Sequence, residues 1–511
     1  MSNDSSESTT IAKQGAITLF GNQLSRVAGF VFLLIVTRLV APSTYGVFVL
    51  GLSIVSFASR LFGLSIHQSV DFFVPDFLNK NESGKAKSVL VNSFVIGTIG
   101  GILGITAVLL GTEEISKILD EPALVQVLPI FSIYILLDIY DRILLNSFSS
   151  IKRLKYRVYM KDIIRPAFRV TVTVILLLFG FSVVGLVLGH ILALSVSILF
   201  GIYFFMNGYV EIIKTEIEFV SRRALMSYSL PLVFSGLIFS LVGQIDYFVI
   251  GYYATSGNVG KYRIAYQLAG YLMIALAALT PIIKPLISEA KGDTRSVKAR
   301  YRLATRWIVM ITLPMSATLA LAPRTYLSVL FTPEYATAGS SVVMLAAGYV
   351  INASVGTEGK VLQGLGRTRI TLLNSLLLLT TNVALDLFLV PRIGILGAAV
   401  GTATASSVAG VAGVLEIYYF EKIHPFSRSL FKIMTSIVPS IAIGGVFVLV
   451  MNNEAIIAVL LPIIITITYI ISLVLFSSFV DEDVKVASLI DEKIGYSVLA
   501  PIVSFELGRL R

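Results

Sequence analysis

The chain is a succession of apolar runs about 20 residues long, separated by short polar stretches. A helical run of that length crosses a hydrocarbon core ~30 Å thick. Within lipid the backbone polar groups must be satisfied inside each segment, so the runs are read as helices. Of 511 residues, 56% are hydrophobic and 14% charged, outside the balance of soluble globular domains. The expected fold is therefore an all-α polytopic membrane protein. Fourteen spans are predicted, at 15–40, 46–66, 88–110, 123–149, 164–180, 183–206, 229–252, 263–287, 303–322, 338–361, 370–390, 394–419, 430–451 and 455–478. The loops are short enough to exclude an extramembrane domain.

Residues 1–10, MSNDSSESTT, carry neither a basic leader nor a small-residue cleavage site and read as a cytoplasmic tail. The absence of cysteine excludes disulfides and thiolate chemistry. Three histidines, His67, His190 and His424, argue against a metal centre, and no cofactor is expected.

The net charge of +10 is explained by topology. With a cytoplasmic N-terminus, the inward loops hold most of the basic residues. Among them are Lys152, Arg153, Lys155, Arg157, Lys161 and Arg165, then Lys291, Arg295, Lys298, Arg300, Arg302 and Arg306, then Lys422, Arg428 and Lys432. The outward loops hold only Lys117, Lys261, Arg263, Arg324 and Arg392. That bias places both termini in the cytoplasm and removes the nucleic-acid reading of the charge.

Two internal repeats emerge. Thr44-Tyr45-Gly46-Val47-Phe48 follows span 1 as Asn258-Val259-Gly260-Lys261-Tyr262 follows span 7. The runs beginning Ser182-Val-Val-Gly185 and Gly394-Ile-Leu-Gly397 open spans 6 and 12, at nearly the same offset along the chain. A shift of six spans keeps both halves in the same orientation, which implies parallel repeats about an axis along the membrane normal. The expected organisation is two facing six-helix lobes, 1–206 and 229–420, and a cytoplasmic amphipathic linker, 207–228. Spans 13 and 14, within 421–480, lie outside the repeat, and a cytoplasmic tail, 481–511, follows.

Polar residues mark the candidate site, since a charge at mid-span costs roughly 2.5–3.5 kcal/mol on insertion scales. Asn22, Arg26, Leu33 and Thr37 fall near one face of span 1. Ser53, Ser56, Arg60, Gly63 and His67 form a stripe on span 2. Arg26 and Arg60 are thereby expected to face one cavity, whereas Arg38 is read as an outer-end anchor. On span 4, Asp138 and Arg142 are spaced as an ion pair, which leaves Asp141 as a partner for Arg26 or Arg60, or as a cation site. Arg169 begins span 5. The second half supplies Gln244 and Asp246 on span 7, Gln267, Tyr271 and Lys284 on span 8, Glu358 with Lys360 on span 10, and Asn382 with Asp386 on span 11. Asp246 is expected to accept hydrogen bonds from a neighbouring helix, and Glu358 to pair with Lys360. His190 is expected to be a packed residue.

The opening Asn22…Arg26…Arg38-x-x-x-Pro42-x-x-Tyr45-Gly46 resembles the Wzx-type polysaccharide flippases of the multidrug/oligosaccharidyl-lipid/polysaccharide exporter superfamily. So do Gln244-Ile245-Asp246-Tyr-Phe-Val-Ile-Gly251 and Val259-Gly260-Lys261-Tyr262. The likeness covers about residues 1–480, the 6+6+2 arrangement of spans included. It implies alternating access between two lobes and export of a lipid-linked sugar to the outer leaflet of the cell membrane, for surface polysaccharide or glycan assembly. The unpaired intramembrane cations lie mostly in the first half. They are expected to hold a phosphate or pyrophosphate headgroup through Arg26 and Arg60, aided by Arg142 and Arg169. Asn22, Asp141, Gln244, Asp246, Gln267 and Lys284 complete the expected substrate-binding set. Expected partners are the lipid-linked sugar, membrane lipid and glycosyltransferases of the same pathway, with the protein itself a monomer.

Two other readings compete. A cation-coupled drug or metabolite exporter of the same superfamily would need an acidic ion site, for which Asp138 and Asp141 are available. A membrane glycosyltransferase or polymerase would need a sizeable outward loop, and 111–122 and 323–337 are too short to build one. Asp481-Glu482-Asp483 has D-x-D spacing but is read as a charged stop after span 14, so no enzymatic activity is expected.

Overall fold

The computed structural model describes residues 2–208, 212, 214–480 and 482–483. They are predominantly helical, with no strand among them. Thirteen helical segments among the described residues are long and apolar enough to cross a membrane. The fifth expected span is not one of these, because its regular α-helical part is short. Its helix is assembled from three pieces, as the element order shows.

Two compact units divide the chain, one within residues 1–263 and the other within 264–511. The first begins with α1 (Ser2–Leu39), α2 (Pro42–Phe62), α3 (His67–Asn79), α4 (Ser83–Ile118) and α5 (Leu124–Ser150). It continues with α6 (Leu154–Val158), a π-helical turn (Tyr159–Ile164), α7 (Arg165–Leu178) and α8 (Ser182–Gly208). Then come α9 (Arg222–Val242), α10 (Ile245–Tyr253) and the start of α11 (Ser256–Gly270).

Small residues set the packing of this unit. Gly97, Gly101 and Gly104 put a flat face of α4 against Ile135, Leu136 and Ile139 of α5, so the two backbones approach closely. Pro42 opens α2 at its first turn, where its missing N–H costs nothing. The expected span 2 is broken. Leu64 and Ser65 both take φ of 49°, in the left-handed region, and α3 restarts the helix at His67. Gly100, midway along the 36-residue α4, backs onto the break. A Cβ there would lie 3.1 Å from the carbonyl carbon of Phe62. The interruption therefore sits at the mid-height of α4, and residues 67–79, read from sequence as loop, form a half-helix. Of the expected linker, 216–220 is extended rather than helical. It docks on the start of α4, Glu218 N–H donating to the Gly84 carbonyl (3.3 Å) and Lys87 Nζ to that of Thr215 (2.9 Å).

The second unit holds the rest of α11, α12 (Ile274–Glu289), α13 (Thr294–Leu321), α14 (Pro323–Leu330) and α15 (Gly339–Val355). After these come α16 (Glu358–Gly364), α17 (Thr368–Ile393), α18 (Ile395–Glu421), α19 (Arg428–Thr435), α20 (Ile437–Val450) and α21 (Glu454–Leu475). Ile287, Tyr301, Val361, Leu362, Ile417 and Ile423 close a buried cluster between α12, α13, α16 and α18. Span 10 is also interrupted, at Gly356 (φ 80°), between α15 and α16. The repeat read from sequence has a packing counterpart. Gly189 on α8 faces Thr173 of the preceding span, and its repeat-related Gly401 on α18 faces Asp386 of its own preceding span.

The described residues just after the last span are held within the second unit. Arg306, on α13, pairs with Asp483 at 2.7 Å and donates to the Ser478 carbonyl at 3.0 Å. Both charged side chains are nearly fully buried. Asp483 is thus committed to a structural ion pair, in keeping with the sequence reading of D-x-D as a stop. Asp481 and the remainder of the expected tail lie outside the described residues.

Candidate functional site

The break between α2 and α3 opens a cavity of about 90 Å³. Its walls are Ser59, Arg60 and Gly63 at the end of α2, Ser65 and Ile66 in the break, and His67 and Gln68 at the start of α3. Ile139 and Arg142 of α5 and Gly236 of α9 complete it. The Ser59 hydroxyl and the Arg142 guanidinium both donate to Asp138 Oδ2 at 2.5 Å. Asp138 therefore fixes Arg142 in place and is itself fully engaged on that oxygen. Arg60 has no such partner: its Nε is buried without an acceptor among the described residues. An unpaired guanidinium in an apolar span needs an anion, and the first N–H groups of a helix add positive potential where α3 begins.

A second ion pair lies one turn further along α5. Asp141 is engaged by Arg165 rather than by Arg26 or Arg60. Arg169, one turn into α7, places its guanidinium 4.6 Å from the Phe32 ring centre, and its Nε is buried without an acceptor. Four guanidinium groups thus face two carboxylates, leaving this region of the unit two charges positive. His190 packs edge-on to Phe32 and against Phe48, and its Nδ1 lies 3.2 Å from the Leu186 carbonyl. It is a packed residue, as expected.

Arg26 does not line the cavity. It and Asn22 lie on a different part of α1, Arg26 exposed and Asn22 half-buried. The face reading put Arg26 and Arg60 together by joining the polar stripes of two helices, although a stripe on each helix does not set how the two helices face one another. Arg60, near the end of α2, lies beside Arg142 of α5 instead.

Near the other end of α2, Gly46 and Gly260, the repeat-related pair, cross at van der Waals contact. A Cβ on Gly46 would lie 3.0 Å from Gly260 N and 2.5 Å from the Ser256 carbonyl carbon. Beside the crossing, Asp246 accepts from the Tyr262 hydroxyl on α11, as expected of it. Arg263 donates to the Tyr247 hydroxyl at 2.8 Å. Arg263 was read as an outer-loop charge and is instead tied to the site-bearing unit. Gln244 sits in the short gap between α9 and α10, with Nε2 3.4 Å from Ser240 Oγ.

In the second unit Lys284 is exposed and Gln267 half-buried. Lys360 donates to Gln363 Oε1 at 3.3 Å, so the expected pairing with Glu358 is not made. Asn382 and Asp386 are buried one turn apart, with Asn382 Nδ2 3.3 Å from Asp386 Oδ1 and 3.5 Å from Thr402 Oγ1. One carboxylate with amide and hydroxyl neighbours offers oxygen donors suited to a hard cation, not to a transition metal. Among the described residues no group of three or more His, Asp or Glu is placed to hold a metal ion.

Sequence reasoning missed Arg165, Gln68 and the break itself. Arg165 is remote from Asp141 along the chain and on another helix, so no periodicity links them. Gly63 followed by Leu64-Ser65 was a weak signal for a broken span.

Apolar spans repeated in two halves, a broken helix and a cationic cavity within one unit define a multi-pass helical membrane protein with a polar site among its spans. The structure is similar to lipid II flippase MurJ in its inward closed conformation, with a TM-score of 0.69 and 16% identity over 91% of this chain and 98% of that one. An inward-facing multidrug resistance MATE family transporter gives 0.65 and 13% identity, covering 78% of this chain and 94% of the other.

By sequence, the chain belongs to the family described as polysaccharide biosynthesis protein, whose profile matches residues 35–339. It is 22% identical over 259 residues to the probable low-salt glycan biosynthesis flippase Agl15 of Haloferax volcanii, covering 50% of this chain and 54% of that relative. Against the probable flippase AglR of the same organism the figures are 24% over 210 residues, 40% and 41%. The chain thus spans about half the length of the curated relatives it matches.

Proposed function

We propose that this protein flips a lipid-linked sugar with a phosphate or pyrophosphate headgroup from the cytoplasmic to the outer leaflet of the cell membrane. The lobes 1–206 and 229–420 alternate in access, and both termini are cytoplasmic. Arg60, buried at Nε without an acceptor beside Arg142 and the start of α3, carries the reading. Two guanidiniums and a helix N-terminus match a phosphate in charge and in donor geometry. Arg169, also lacking an acceptor at Nε, is assigned as a further headgroup contact, whereas Arg26, outside the cavity, is not. Asn22, Asp141, Gln244, Asp246, Gln267 and Lys284 are assigned to the sugar or to the supports of the site, and glycosyltransferases of the same pathway supply the substrate.

The cation-coupled exporter draws on the likeness in fold to the MATE transporter and on the buried Asp386. The two-charge cationic surplus around α5 and α7 disfavours a cationic drug and favours an anionic cargo.

The test is headgroup flipping in proteoliposomes carrying a fluorescent polyprenyl-pyrophosphate sugar. A charge-assisted hydrogen bond contributes about 1.5–3 kcal/mol, so Arg60→Gln should slow flipping by roughly 10- to 150-fold. Arg60→Lys should retain part of the rate. Wild-type flipping by a folded Arg60→Gln protein would sink the assignment.

A further inference from the structure

A second cationic recess lies in the other unit, far along the chain from Arg60, where α18 turns into α19. It is an open depression of about 720 Å³, lined by Arg302 of α13, Phe426 and Ser427 of the turn, and Arg428, Phe431 and Lys432 of α19. Three of these six residues are cationic and none is acidic.

Helix α19 is short and strongly two-faced. Leu430 and Ile433 are buried against the unit, while Phe431 is 69% exposed and Phe426, just before the helix, 48% exposed. Apolar rings beside basic side chains on one outer face are the pattern of a helix lying in a membrane interface. The chain order agrees, because α19 is the opening part of the candidate span Arg428–Val450, where the chain enters the membrane from the loop after α18.

The cations are held in place but not neutralised. Arg302 spends its Nε on the His424 carbonyl (3.3 Å), and Lys432 Nζ donates to the Ser477 carbonyl (2.9 Å). Carbonyl oxygens position these groups without cancelling their charge, and among the described residues no carboxylate pairs with them. Arg428 stands at the first position of α19, where the helix pole is itself positive, a placement that is unfavourable unless an anion is present. The His424 imidazole beside them is held below its ordinary range by burial and then by the like charges of Arg302 and Lys298.

We propose that this recess binds the phosphate of an anionic phospholipid headgroup, with Arg302, Arg428 and Lys432 as its ligands and Phe426 and Phe431 set among the upper acyl carbons. The commitment to a lipid rests on those two exposed rings, for which a free anion in water has no use. The site is separate from the proposed headgroup cavity and does not depend on that reading.

The experiment uses the full chain, purified and delipidated, with bound lipid counted by native mass spectrometry. The probes are phosphatidylglycerol and phosphatidylcholine. Phosphatidylglycerol should be retained in preference to phosphatidylcholine. Each cation near a lipid surface contributes about fivefold in affinity, so R302Q/R428Q/K432Q should lose about 100-fold. The charge-preserving R302K/R428K protein should stay within a few-fold of wild type. Should the triple variant not fold, R428Q alone, at an exposed position, should still lose about fivefold. Equal retention of the two lipids, or wild-type affinity in the folded glutamine variants, would overturn the proposal. Full competition by millimolar glycerol 3-phosphate would also overturn it, by assigning the recess to a free anion.

Discussion

Gly46→Ala tests the crossing of α2 with α11. A methyl at Gly46 would lie 2.5 Å from the Ser256 carbonyl carbon and closer still to its oxygen, where real Cβ contacts essentially never fall below 3.0 Å. The opposing group is backbone, so it cannot rotate away, and the two helix starts must separate until both atoms clear that limit. Overpacking of this kind costs typically about 1–3 kcal/mol. Against it stands the gain of about 0.5–1 kcal/mol from replacing glycine by alanine within a helix. The net expectation is a loss of about 1–2 kcal/mol. Thermal unfolding of the purified protein in detergent reads this directly. Gly257→Ala is the control, since its methyl would meet nothing nearer than 3.6 Å. The two variants should fall on opposite sides of wild type. Because one separation relieves both clashes, Gly46→Ala/Gly260→Ala should cost less than the sum of the single changes. A Gly46→Ala protein that melts at or above wild type would refute the close crossing.

Two further substitutions probe the buried ion pairs. Asp141→Asn leaves the Arg165 guanidinium without its carboxylate, and breaking a buried pair costs about 3–5 kcal/mol. Chemical denaturation should show that loss, whereas the apolar swap Asp141→Leu/Arg165→Met should restore most of it; an unchanged Asp141→Asn midpoint would mean the pair is not formed. Asp483→Ala should destabilise the protein by a similar amount, about 3–5 kcal/mol, with Arg306→Met/Asp483→Leu returning to within about 1 kcal/mol of wild type. Were Asp483 instead part of a metal-binding D-x-D, its removal would abolish manganese binding and leave the melting curve where it was.

Much of the fold was readable from the residues because membrane burial imposes length and hydropathy on every span. The helices α4, α5, α8, α17 and α18 lie where their apolar runs place them. The repeat was readable for a related reason. Glycines at close approaches cannot be exchanged freely, so Gly46 with Gly260 and Gly189 with Gly401 keep their spacing while the rest of the two halves diverge. The site was only partly legible. Asp138–Arg142 follows from helical spacing alone, since both partners share one helix. Asp141–Arg165 joins two helices, and a one-dimensional pattern contains no term for that. Arg26 was placed beside Arg60 by pairing the polar stripes of two helices, and a one-dimensional pattern does not say how those helices face each other. The fifth span was legible as α7 alone, whereas α6 and the π-helical turn at 159–164 that precede it are charged and carry no apolar signal.

The division of span 2 into α2 and α3 also changes what counts as one mechanical part. The upper half is packed on α5 through Gly51 against Val127 and Phe131. The lower half packs on α4 and α5 as well, and it adds two bonds to α9, the Ser69 hydroxyl donating to the Leu225 carbonyl at 2.9 Å and Phe72 stacking on Tyr228 at 4.4 Å. The pieces on either side of Leu64 and Ser65 both touch α9, the opening helix of the second repeat. A rocking of α9 would therefore load that joint from both sides rather than carry one piece alone. Arg60 stands on one side of the joint and Gln68 on the other, so the cavity they line would feel such a motion in two of its walls at once.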